Sequence, residues 1–139
     1  MNKTCPICNI PLARARLINQ YEYWNLFLQS NEKRGETKQA AGFLASKRHV
    51  AEPVDNTLDE WVELKAIMKD ASARLCQEVN MTYAGQETVG FNQGYQAGQT
   101  VAHAHVHILP VANEDPEELK VRAGIGGAFA ALKRERLGK

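Results

Sequence analysis

Three histidines stand at positions 103, 105 and 107, with Ala104, Val106 and Ile108 in the places between and after them. Alternation of this kind is the period of a β-strand, whose successive side chains point to opposite faces. A strand over residues 102–109 turns Ala104, Val106 and Ile108 into a core and sets His103, His105 and His107 on the other face. Pro110 has no amide donor and ends the strand in this reading. The imidazole row leaves three readings open. It is an exposed polar face, a three-histidine metal site, or a nucleophilic site in which one ring attacks and its neighbours orient it. A core strand has little reason to stack imidazoles on one face unless that face does chemistry. Ligands from consecutive same-face positions of one flat strand converge poorly.

Thr57-Leu58-Asp59-Glu60 has the Thr-x-x-Glu form of a capping box, which satisfies free amides at a helix start. Behind it Leu58, Trp61, Leu64, Met68, Ala71, Leu75 and Val79 recur at three- and four-residue steps, which predicts a helix with one apolar face on a core. Upstream, residues 12–19 alternate weakly, 23–28 are rich in aromatic and branched residues, and 42–46 are apolar; each reads as a strand. Residues 30–39 are polar and charged and read as an exposed loop. Between helix and histidines a strand is expected at 82–84 or at 88–92, followed by a glycine-bearing turn over 92–100. A short helix is expected near 127–136, after the glycine-rich run Arg122 to Gly127. Short strands around one long helix make an α+β domain.

The length of 139 residues suits one domain with one core. A net charge of +1 gives no strong pull toward nucleic acid or a membrane surface, and the basic end Lys133 to Lys139 reads as a solvated helix terminus. No apolar run approaches the ~18 residues of a membrane span, and the first residues lack the apolar core of a signal peptide. The cytoplasm is the expected location. Three cysteines, two of them in Cys5-Pro6-Ile7-Cys8, argue against a disulfide scaffold. That Cys-x-x-Cys is half of a structural zinc site or a redox pair, although no βαβ pattern follows it as a thioredoxin-like motif requires. Cys76, beside Leu75 and Val79, reads as a thiol at the edge of the core.

The run Ala97-Gly98-Gln99-Thr100-Val101-Ala102-His103-Ala104-His105-Val106-His107-Ile108-Leu109-Pro110 closely resembles the signature of histidine triad (HIT) proteins. Its Gly-Gln-Thr-Val and Leu-Pro flanks are nearest the fragile-histidine-triad and diadenosine-polyphosphate-cleaving branch. Lys47-Arg48-His49-Val50 and Asn92-x-Gly94 resemble further segments of that family in the same order. The resemblance covers about residues 5–110 and implies a HIT-like antiparallel sheet with one long packed helix. The whole chain 1–139 is then a single HIT domain, with 111–139 as a C-terminal extension.

The resemblance also implies roles. His105 attacks the α-phosphorus and forms a nucleotidyl-histidine intermediate, with its second ring nitrogen held by the main-chain carbonyl of His103. His107 contacts phosphate or the bridging oxygen. Gln99 and Thr100 line the phosphate and leaving-group side, Gly98 lies in the turn whose donors face the phosphoryl group, and Asn92 lies near ribose and α-phosphate. Cys5, Cys8, His49 and His103 hold a structural zinc ion. The implied activity is hydrolysis of a nucleotide phosphoanhydride or phosphoramidate such as a diadenosine polyphosphate, by a homodimer joined through the helix and a sheet edge. Two other functions keep the same residues: nucleotidyl transfer to phosphate or a sugar phosphate, and a nucleotide-binding regulatory protein with negligible turnover.

The chain departs from the family around base and ribose. Gly42-Phe43 stands where Gly-His is usual, and residues 31–37 replace a compact Pro-containing turn. Gln29 or Asn31 is the candidate for the ribose hydroxyls. Leu26, Phe27 and Leu44 are either a base-stacking wall or plain core.

Overall fold

The computed structural model describes residues 4–9, 15–29 and 40–115. Five strands and one long helix follow one another as β1 (Ala15–Gln20), β2 (Trp24–Gln29), β3 (Gly42–Ser46), α1 (Leu58–Glu78), β4 (Tyr83–Gly90) and β5 (His105–Ala112). Every pairing is antiparallel, and the order across the sheet is β1-β2-β3-β5-β4. The fold is α+β, and the last described strand is inserted next to the last but one, inside the sheet. The expected loop over 30–39 and the expected tail helix near 127–136 lie outside the described residues.

Strand alternation divides the core in two. Trp24, Leu26 and Leu28 of β2, Leu44 of β3, and Val106 and Ile108 of β5 meet Leu64, Ala71, Leu75 and Cys76 of α1. The intervening residues Phe27, Phe43 and Ala45 form a second cluster with Cys5 and Ile7. Gly42 is required where α1 crosses β3. A Cβ there would lie 2.3 Å from Phe27 O and 2.6 Å from a Leu75 methyl. Leu26 and Leu44, fully buried on the helix side, and Phe27, 1% exposed, are therefore core and offer no base-stacking wall.

The helix begins where the capping box places it. Thr57 Oγ1 accepts from the Glu60 amide, and the Glu60 carboxylate accepts from the Thr57 amide. Leu58, expected on the apolar face, is 78% exposed. It shares a helix azimuth with Cys76, roughly five turns on, which is fully buried. The C-terminal half of α1 is covered by β4, to which Lys69 and Ser72 bond. No such cover reaches Leu58 among the described residues.

Two strand boundaries also differ from expectation. The segments 82–84 and 88–92 were alternatives, yet one strand runs from Tyr83 to Gly90, with an irregularity between Tyr83 and Glu87 where Gly85 takes φ +88°. Pro110 does not end β5, which continues to Ala112. Pairing with β3 stops at Gly42↔Ile108, so β5 beyond that point needs no amide on that side, while Glu87 of β4 still pairs with Pro110.

Glu60 is a buried carboxylate, 3% exposed. Burial alone would raise its pKa. Bonds from Arg48 (2.9 Å), the Thr57 amide (2.7 Å) and the Asn56 amide (3.2 Å) bring it down from 4.5 to about 2. A carboxylate with a depressed folded pKa stabilises the fold above its unfolded pKa, and that stability is lost as pH falls through the folded value. Glu60→Gln is therefore expected to cost about 2 kcal/mol at pH 7, below the full shift because half-exposed Arg48 is screened by water. The difference from wild type should shrink between pH 4.5 and 2 in urea unfolding. A pH-independent difference would remove the charge from this account.

Candidate functional site

The face of the sheet opposite α1 carries His105 and His107. The two half-buried rings lie 5.2 Å apart, centroid to centroid, at 80°. Both meet the ring of Phe43 edge-on, at 5.7 and 6.4 Å, because Phe43 pairs with His107 across β3 and β5. Phe43 in turn stacks on Phe27 at 5.0 Å. An aromatic floor thus limits how the imidazoles can turn. His105 Nδ1 lies 2.7 Å from the main-chain oxygen of His103. A carbonyl only accepts, so Nδ1 carries the proton and Nε2 keeps its lone pair, the arrangement a nucleophilic imidazole needs.

His103 does not share the strand. It stands in the bend before β5, which begins at His105 and not at 102. The chain at this point is held by the end of β3 and the segment after it, through Ser46 N–Ala104 O (3.2 Å) and Ala104 N–Val50 O (2.7 Å). Its imidazole is 2% exposed, so the three rings are neither an exposed polar face nor one converging metal site. His103 Nε2 donates to Ser46 O at 2.6 Å, which leaves Nδ1 as the bare nitrogen. That nitrogen lies 3.5 Å from Cys5 Sγ, 3.5 Å from Cys8 Sγ and 3.0 Å from His49 Nδ1, and Cys8 Sγ lies 3.1 Å from His49 Nδ1.

The ligand atoms of Cys5, Cys8, His49 and His103 all lie within 4.8 Å of one another. A tetrahedral ion with ~2.0 Å bonds to nitrogen and ~2.3 Å bonds to sulfur separates its ligands by roughly 3.3–3.8 Å. The four donors therefore form a cluster able to hold a metal. The Ser46 carbonyl is the outer partner that fixes the His103 tautomer for it. Burial pushes the His103 pKa below its ordinary value and, with Cys8 beside it, raises that of the Cys5 thiol. A neutral imidazole suits a metal, and a buried thiolate needs a cation.

The turn before the histidines carries the other predicted residues. Gly94 and Gly98 take φ +92° and +103°, and a Cβ on Gly98 would come within 3.3 Å of Asn92 Nδ2. Asn92 and Thr100 are exposed, whereas Gln99 is 6% exposed. Its amide group donates to Ala51 O (2.6 Å) and Val101 O (2.9 Å) and accepts from Gly94 N (2.9 Å). The following amides of Thr100, Val101 and Ala102 have no acceptor among the described residues. The structure thus brings Cys5, Cys8, His49 and His103 together on one side of His105. It places Asn92, Gly98, Gln99 and Thr100 in one turn leading to that strand. Ser46 and Phe43 were not assigned from sequence, because their roles depend on the β3–β5 register.

A family model described as the HIT domain matches residues 43–114, which is 72 of the 139 residues. The chain belongs to the HIT family. Solved structures share its fold. A HIT family hydrolase from Clostridium thermocellum superposes with a TM-score of 0.58 at 18% identity, over 84% of this chain and 98% of the other. A hypothetical histidine triad nucleotide-binding protein from Sulfolobus tokodaii gives 0.59 at 24%, over 84% and 73%. The C. elegans NitFhit protein gives 0.53 at 25%, over 88% of this chain and 27% of that longer one. No curated protein matches the sequence. In this HIT-family chain the matched segment contains His49, Asn92 and the three histidines, while Cys5 and Cys8 join the site from outside it.

Proposed function

We propose that this HIT-family protein binds a nucleotide and cleaves it at a phosphate through His105, with diadenosine polyphosphates as the leading substrate class and nucleoside phosphoramidates next. The observation that carries the reading is the 2.7 Å contact of His105 Nδ1 with His103 O, which leaves Nε2 with the lone pair that an attacking atom needs. Nε2 forms a bond to the α-phosphorus as the bond to the bridging atom breaks, and the bridging atom leaves with that electron pair and takes a proton from solvent. Water then attacks phosphorus and gives a proton to solvent, the P–N bond breaks with its electron pair returning to Nε2, and the nucleoside monophosphate leaves. His107, beside His105, contacts phosphate or the bridging oxygen. The Thr100, Val101 and Ala102 amides, which have no acceptor among the described residues, would donate to the developing charge. Gln29 lies on the same face of β2 as Phe27, and its Oε1 has no partner among the described residues, which suits a ribose hydroxyl donor. Asn92 would bind near the ribose and α-phosphate, a role supported by the resemblance of Asn92-x-Gly94 to the family's segment.

Zinc is the ion that the two thiols and two imidazoles select. Bound there, it would tie Cys5 and Cys8 to His49 and His103 and so hold the chain around His103. The chain is one domain, cytoplasmic, and acts on a small molecule, not on nucleic acid. Among the described residues no helix is long and apolar enough to cross a membrane. A second copy covers α1 and the β4 edge, where Leu58 (78% exposed), Val62 (60%) and Phe91 (43%) are presented. Val62→Glu is expected to convert a dimer to a monomer in light scattering. An unchanged mass would remove this face from the interface.

The test of the function is mass spectrometry of products from metal-loaded protein and a diadenosine polyphosphate in ¹⁸O-water. Labelled nucleoside monophosphate is expected. A product carrying added inorganic phosphate would make the protein a transferase with the same intermediate. If neither polyphosphates nor phosphoramidates turn over, the enzymatic reading fails, and tight adenosine monophosphate binding would leave a regulatory binding protein.

A further inference from the structure

Resemblance put the Gln99 side chain among the phosphate contacts, but its geometry assigns it elsewhere. The amide is buried, and both of its ends already have protein partners. Nε2 reaches Ala51 O and Val101 O, and Oε1 receives Gly94 N. The Gln99 main-chain amide also returns to Gly94 O at 3.1 Å, so Gly94 is held from both sides by one residue. Ala51 follows the segment of His49, and Val50 O receives the amide of Ala104. Gln99 therefore pins the beginning of the turn and the residue after Thr100 to the strand connection that also carries the Cys/His cluster. The brace holds the segment Thr100 to Ala102 at Val101 O, and the amides of these three residues have no acceptor among the described residues.

We infer that Gln99 is a positioning residue which never touches substrate and holds the Thr100–Ala102 amides in place as a phosphate subsite. The inference rests on the proposed reading of that turn. A planar amide is suited to the task because it donates twice and accepts once from fixed directions. An apolar side chain of equal size leaves Ala51 O and Gly94 N without these partners and Val101 O with the His103 amide alone, and the turn then loses its single conformation. Preorganised donors lose their advantage once they must be reoriented for each anion.

The test separates phosphate from nucleoside recognition. Binding of adenosine monophosphate and of adenosine is measured by calorimetry for wild type and Gln99→Met. The variant is expected to bind the monophosphate about tenfold more weakly or worse and adenosine within twofold of wild type. Equal losses for both ligands, or no loss, would overturn the inference. A second measurement uses wild-type protein alone and is valid even if the variant does not fold. Adenosine monophosphate should shift the amide signals of Thr100 to Ala102 in ¹H–¹⁵N spectra, while the Gln99 side-chain NH₂ signals stay put and exchange slowly with solvent. Large shifts of that NH₂ would make Gln99 a direct contact and sink the assignment. Wild-type protein that binds the monophosphate yet turns over no substrate leaves this role standing, since the readout is phosphate affinity and not chemistry.

Discussion

His105→Ala is expected to lower turnover of a diadenosine polyphosphate roughly 10⁴-fold or more, the scale of removing an attacking group from a prearranged site. The fold should survive, because His105 is half-buried and its main ring contacts are to Phe43 and His107, not to the α1 core. Binding of the product monophosphate should change by less than tenfold, since the Thr100–Ala102 amides and His107 remain. The diagnostic experiment adds radiolabelled substrate, quenches with base and looks for phosphorus on protein. Wild type should carry acid-labile label and His105→Ala none. A variant with wild-type kcat would show that Nε2 of His105 is not the nucleophile, and the geometry would then need another attacking group. His107→Ala should be milder in the labelling assay than in turnover, because that ring contacts phosphate or the leaving group and forms no bond to phosphorus.

Loss of the metal cluster has the largest expected effect on stability. Cys5→Ala leaves three ligands and a cavity beside Ile7 and Phe43, in the second core cluster. Metal content should fall from one ion per chain to well below one. Stability should drop by roughly 3 kcal/mol or more, because binding free energy at such a site is folding free energy. That is a fall in Tm on the order of 10 °C for a domain of this size. Wild type treated with a chelator should approach the variant, which separates the metal from the lost packing. The consequence reaches the chemistry, since His103 belongs to the cluster able to hold a metal and its carbonyl lies against His105 Nδ1. Wild type that purifies without metal at an unchanged Tm would refute the site.

Much of this arrangement was legible before any coordinates, for identifiable reasons. The helix start was readable because a capping box is local: Thr57 and Glu60 are three residues apart and bond each other. The alternation over 104–108 was readable because strand period is two, and the buried Val106 and Ile108 and half-buried His105 and His107 follow it. The four candidate ligands were grouped through the resemblance. Spacing alone could not bring Cys5 within reach of His103, 98 residues away.

What went astray depends on what lies across from a residue. Leu58 has the spacing of a buried residue and lies exposed because β4 covers the other end of α1. Pro110 looks like a strand end and lies inside β5 because β3 has already run out beside it.

The sequence by itself determined the period of each element, the helix cap and the identity of the groups able to do chemistry, since these depend on neighbours a few bonds away. Only the tertiary structure decided that His103 leaves the strand for the cysteines, that Phe43 lies under His105 and His107, and that Ser46 O sets the His103 tautomer. Those outcomes follow from antiparallel register and from hydrogen bonds between segments far apart in the chain, and neither is encoded by local spacing.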